Sequence, residues 1–215
     1  MIYFANTTHS VPARGHGGFL YYMVNQIEKV AIYIDGSNLY YKLKDLKVEK
    51  TTEFSYKGLS EFLSRERQVV SIRYYVGVVK VKNDSIKASS MRQEQQRLFS
   101  NLEKQGICIK RGYLMESNGK FHEKGVDVKI ATDMIIGAYE NYYDTAILIS
   151  SNTDLIPAIK HIKYLNKKIE YVGFSHAPSF GLQKNVDISR LLIREDIEKF
   201  IPSLGLIPRG SATEP

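Results

Sequence analysis

The sequence is short of several things. Of its 215 residues one is a cysteine, Cys108, and none is a tryptophan. A lone thiol closes no intramolecular disulfide and no cysteine-rich metal site, so a reducing, cytoplasmic setting is the expectation. Long apolar runs are missing too. The longest are pieces such as Met134-Ile135-Ile136, far short of the ~18 residues that a membrane span needs. The five histidines (His9, His16, His122, His161, His176) form no HxxxH pair, which argues against zinc. No GxxxxGK[ST] or GxGxxG follows a strand signal, which disfavours the nucleotide-binding enzymes built on those loops. Internal repeats and low-complexity tracts are absent.

What is present is globular: 43% hydrophobic and 25% charged residues in a length that suits one domain. Thirty Lys and Arg against 23 Asp and Glu give a net charge of +7, a mild lean toward an anionic partner. Residues 1–22 hold Pro12, Gly15, Gly17 and Gly18 without helical or strand period and read as an irregular extension. Residues 205–215 read as a tail, with Leu206-Ile207-Pro208-Arg209-Gly210-Ser211 resembling a linker. The domain is expected over 23–204.

Inside it, strand and helix signals alternate. Strands are predicted at 30–34, 69–79, 107–114, 145–149 and 168–174. Helices are predicted at 39–46, 59–67, 85–105, 128–143 and 155–166. Short strands separated by helices imply βαβ units, hence a three-layer α/β/α fold with a mostly parallel central sheet. Ala31-Ile32-Tyr33-Ile34 and Ala146-Ile147-Leu148-Ile149 are near-continuous apolar runs, as strands buried on both faces should be.

Ligands of such sheets bind at the carboxyl ends of the strands. The first strand ends in Asp35-Gly36-Ser37-Asn38, the fourth in Ser150-Ser151-Asn152-Thr153-Asp154. If those strands are neighbours, Asp35 and Asp154 face one crevice. Asp127 lies just before a long helix, in Lys124-Gly125-Val126-Asp127-Val128, and Asp133 follows it. Each acid has a plainer reading. Asp35 suits a turn, while Asp127 and Asp154 suit helix caps. Asp133 sits about 120° round a helix from Asp127 and is spaced to pair with Lys129. Taken together, carboxylates and amides at strand ends suit a hard cation, Mg²⁺ or Mn²⁺.

Three segments, VAIYIDGSN at 30–38, KGVDVKIATDM at 124–134 and LISSNTDLIP at 148–157, resemble in order and spacing the motifs of the NYN domain family, PIN-like nucleases that include a bacterial LabA-like branch. The likeness spans residues 29–202. It implies a Mg²⁺- or Mn²⁺-dependent ribonuclease of PIN-like fold. By position Asp35, Asp127 and Asp154 match family acids and would be the metal ligands. Asn38 matches the family amide, and Asp133 the acid of its helix. One position departs: the family usually writes Ser-Gly-Asp-x-Asp-Phe, and here Asn152 stands where an acid is expected. An amide still offers an oxygen but removes a charge, which predicts weaker ion binding or weaker activation of water. With Asp35, Asp127 and Asp154, the residues Asn152, Asn38 and Asp133 complete the catalytic expectation.

Substrate contacts are expected from Ser150 and Ser151, from Lys124, and from a basic stretch over 80–111 that includes Lys82, Lys87 and Arg92. That stretch equally suits a solvated helix face. Tyr40, Tyr41 and Tyr113 lie near predicted strand ends, where they could stack on unpaired bases. Tyr33, Tyr74, Tyr75 and Tyr171 read as sheet residues, and Cys108 as a small core residue. The expected partner is RNA, single-stranded or structured, with no membrane. A homodimer is compatible with the sequence, which specifies no interface. A catalytically weak RNA-binding module and a small-molecule phosphohydrolase are the alternatives. The second is disfavoured because Asp35-Gly36-Ser37 lacks the usual Asp-x-Asp pair.

Overall fold

The computed structural model describes residues 27–79, 86–117 and 120–202. The predicted tails 1–22 and 205–215, and Lys82, lie outside the described residues. Seven strands form one sheet: β1 (Lys29–Asp35), β2 (Gln68–Val79), β3 (Cys108–Ser117), β4 (Lys120–Lys124), β5 (Thr145–Ile149), β6 (Lys168–Phe174) and β7 (Ile188–Leu192). Their spatial order is β4-β3-β2-β1-β5-β6-β7. All pairs are parallel except β3–β4. The helices are α1 (Gly36–Asp45), α2 (Tyr56–Ser64), α3 (Ile86–Lys104), α4 (Val126–Tyr139), α5 (Ile156–Tyr164), α6 (Phe180–Gln183) and α7 (Arg194–Glu198). Among the described residues no helix is long and apolar enough to cross a membrane.

The alternation of β1 generates the layers. Val30, Ile32 and Ile34 face one side, where Leu39 and Leu43 of α1, Leu59 and Leu63 of α2 and Leu102 of α3 close over them. Ala31 and Tyr33 face the other side, under Ile130 and Met134 of α4 and Ile159 and Ile162 of α5. The result is three layers, α/β/α, as the pattern of alternating elements predicts.

Strands β5 and β6 fall where the apolar runs place them. Two strands were not expected. The β4 segment, KFHEK, carries no apolar alternation and is held only by pairing with β3. The β7 segment is a half-exposed edge, where a strand needs little apolar sequence. Cys108 corrects an expectation as well. It opens β3 and is exposed.

The chain lays β2, β3 and β4 to one side of β1, then returns to place β5 on the other. The connection therefore reverses direction between β1 and β5, and a crevice opens there at the carboxyl edge.

Candidate functional site

Asp35 is the last residue of β1 and caps α1. Its Oδ1 accepts the Asn38 backbone N–H at 3.0 Å, as a helix-capping carboxylate does. Its Oδ2 accepts the Ser150 hydroxyl at 2.8 Å, across the reversal point from the end of β5. The side chain thus joins the two strand ends. It is only 6% exposed. Burial pushes its carboxyl up to about 6. The two hydrogen bonds oppose that shift, while the neighbouring carboxylates Glu123 and Asp127 add to it. Gly36, next in the chain, has no room for a side chain. A Cβ there would lie 2.4 Å from the Tyr74 ring and 2.6 Å from the Tyr75 carbonyl oxygen. Only glycine lets α1 start this close to β2.

Glu123 is the residue that sequence reasoning missed. It sits on β4, opposite Leu114. Its Oε1 accepts the Gly77 N–H at 2.6 Å, two residues beyond the last β1–β2 pair. Its other oxygen accepts the Ser37 hydroxyl. One carboxylate therefore ties the β3–β4 hairpin to the start of α1 and to β2. The available signal was its place in Glu123-Lys124-Gly125, directly before the conspicuous motif.

Asp127 is exposed in the first turn of α4 and does not cap it. The cap position belongs to Gly125, whose φ of 78° is a left-handed value that glycine accepts freely. Gly112 of β3 makes room for this turn, since a Cβ there would lie 2.6 Å from Val126. Lys124 precedes the turn and is exposed.

Asn152 caps the short 3-10 turn Thr153–Leu155, its Oδ1 accepting the Asp154 N–H at 2.9 Å. Its own N–H donates to the Ser150 hydroxyl at 3.1 Å. Asp154 lies inside that turn, exposed, and so is not its cap. The Ser151 hydroxyl, just past the end of β5, is buried without a hydrogen-bond partner.

Asp133 is not brought to this cluster. Tyr75 donates its hydroxyl to the Asp133 carboxylate at 2.9 Å, and Arg73 and Lys110 each lie 3.5 Å from it. It anchors α4 on β2 and β3, and it pairs with these cations rather than with Lys129. Tyr33, Tyr74, Tyr75 and Tyr171 are buried in the sheet layers, as expected. Tyr40, Tyr41 and Tyr113 are exposed. Arg92 is exposed on α3. Lys87 lies in α3, with its side chain outside the description. The Gln95 amide donates to the Gly77 carbonyl oxygen at 2.8 Å, which sets α3 beside the carboxyl half of β2.

A divalent ion fits the donor set. The oxygens are hard, and Asp35 is buried with Glu123 and Asp127 near it and no cation paired to any of them among the described residues. Among those residues no three acidic, histidine or cysteine side chains converge at ligand distance.

Layer order, reversal point and acidic crevice together define a PIN-like α/β/α domain. The chain belongs to the NYN domain family, whose profile matches residues 29–194, and so to a group of nuclease-like domains. Among solved structures it is similar to a protein of unknown function from Vibrio parahaemolyticus. The two share 23% identity over 79% of this chain and 96% of that one, with a TM-score of 0.60, a likeness of fold alone. No curated protein matches the chain.

Proposed function

We propose that this domain is a divalent-metal-dependent endoribonuclease whose site centres on Asp35. The carrying observation is a buried carboxylate, raised to about 6, that has acidic neighbours and no paired cation among the described residues. A structural cap does not need that arrangement. A cation-binding site is served by it, because a bound cation would offset the cost of burying the charge.

Asp35, with Glu123 and Asp127, would hold the ion, and Asp154 would face it from the β5 side. A bound divalent ion would supply charge neutralisation at the scissile phosphate and acidify an attacking water. The chain's own residues would do the rest. Asn38 makes no side-chain hydrogen bond among the described residues, which leaves its amide for a phosphate or a water. Ser150 holds Asp35 in orientation. Lys124 and the amino-terminal part of α3, with Lys87 and Arg92, would steer the phosphate chain toward the crevice. Tyr41, one turn after Ser37 and Asn38, offers an exposed ring for an unpaired base.

Asn152 favours a second reading, an RNA-binding module with weak catalysis. One experiment separates the two: cleavage of a labelled single-stranded RNA in Mn²⁺, Mg²⁺ or EDTA by the natural chain, Asp35→Asn and Asn152→Asp. Metal-dependent cutting that Asp35→Asn abolishes supports the nuclease. RNA binding with steep salt dependence and no cutting by any variant supports the module.

A further inference from the structure

The outer face of α4 is apolar where a solvent-facing helix should be polar. The helix buries Val126, Ile130, Met134, Gly137 and Ala138 against the sheet. The opposite azimuth carries Val128, Thr132, Ile136 and Tyr139, spaced to form one stripe. Val128 is 70% exposed and Tyr139 80%. Soluble monomers seldom leave such a stripe uncovered.

The charges beside the stripe narrow the occupant. Lys129 lies near the start of α4 and Glu140 caps its end. They are about three turns apart, hence on the same flank. A two-fold axis perpendicular to two antiparallel helices keeps that flank on the same side of the pair. It therefore sets Lys129 of each copy against Glu140 of the other, with the apolar stripes between them. RNA or an anionic lipid surface would need an excess of cations here. Instead, the flank of the stripe carries one exposed charge of each sign, Lys129 and Glu140.

We propose that the outer face of α4 is a homodimer interface, formed by antiparallel pairing of α4 with α4 of a second copy. The stripe and its flanking charges are complementary to themselves, which is what a two-fold interface requires. This inference stands apart from the catalytic reading, since no stripe residue belongs to the crevice.

The test is sedimentation velocity of the full chain over a concentration series, with charge reversals and cysteine cross-links. A dimer is expected. Lys129→Glu or Glu140→Lys alone should weaken it at least tenfold, and the double reversal should restore it. In a Cys108→Ser background, Ile136→Cys should cross-link to itself, because that position lies within about 5 Å of the axis level. Tyr139→Cys should not cross-link to itself but should cross-link to Val128→Cys in a mixture. A chain that stays monomeric throughout, a dimer indifferent to both single reversals, or efficient self-cross-linking of Tyr139→Cys would each overturn the proposal.

Discussion

Glu170 and Asp35 are both buried carboxylates, at opposite ends of the same sheet. Glu170 lies near the amino end of β6 and is 1% exposed. Arg67 meets one of its oxygens at 2.8 Å and Arg190 the other at 2.6 Å. Asp35, at the carboxyl end of β1, has two neutral donors and two negative neighbours. The first carboxylate is compensated by its own chain, and its role ends with stability. The second has no paired cation among the described residues, at the edge where such sheets bind ligands. Asp133, held by Arg73, Lys110 and Tyr75, falls with Glu170. The difference shows that burial of an acid does not by itself mark a site.

The largest effect should come from breaking the compensated end. Glu170→Gln leaves two partly buried arginines facing a neutral group and should cost about 3–5 kcal/mol in urea unfolding. The shift in melting temperature on adding Mn²⁺ should survive in this variant. If that shift disappears, the two ends are not independent.

Asp35→Asn should do the reverse. Cleavage should fall at least 100-fold, about 3 kcal/mol of transition-state stabilisation, and the Mn²⁺-induced shift should vanish. In EDTA at pH 7 the variant should be more stable than the natural chain. The sign follows from the carboxyl being raised to about 6 from 3.8. The folded state binds that proton more tightly, so this group favours folding most below about pH 4. The contribution is lost as pH rises through about 6, a change on the order of 2–3 kcal/mol. Metal-free melts across that window should slope downward for the natural chain and lie flatter for Asp35→Asn.

Glu123 sharpens the contrast, because it both fastens the hairpin and adds charge to the crevice. Glu123→Gln sets an amide NH₂ against one of two donors, Gly77 N–H or the Ser37 hydroxyl. It should cost about 1–2 kcal/mol of stability, and roughly tenfold in Mn²⁺ affinity by calorimetry if the lost charge is worth about 1.4 kcal/mol. The smallest effect belongs to Asn152→Asp. The carboxylate can accept the same Asp154 N–H, so stability should hold while Mn²⁺-dependent cleavage rises. An unchanged rate would mean that Asp154 already suffices on that side.

Much of this was legible in the chain. The apolar runs of β1 and β5 fixed the centre of the sheet, and the residues that end them supplied Asp35 and Ser150. Glu123 was not legible, because KFHEK becomes a strand only by pairing with β3, a non-local event. The fate of Asp133 was hidden for a related reason. Its cations come from β2 and β3, distant in sequence, and only the register that places Tyr75 beside Lys110 brings them under one helix. Caps misled in another way: Asp127 and Asn152 each lie two residues from a plausible rival, and only backbone dihedrals decide between them.

Glu123 arrives on β4, an edge strand bonded to one neighbour, whereas Asp35 arrives on β1, bonded on both sides. The two halves of the crevice therefore rest on elements of unequal cooperativity. Fraying of the β3–β4 hairpin would withdraw Glu123 and loosen the turn that presents Asp127, while β1 and β5 stay paired. Amide exchange should then report an opening free energy at β4 well below that of global unfolding. Catalysis should fail at a lower urea concentration than the circular dichroism does, as a dismantling of one wall of the site in a domain still folded.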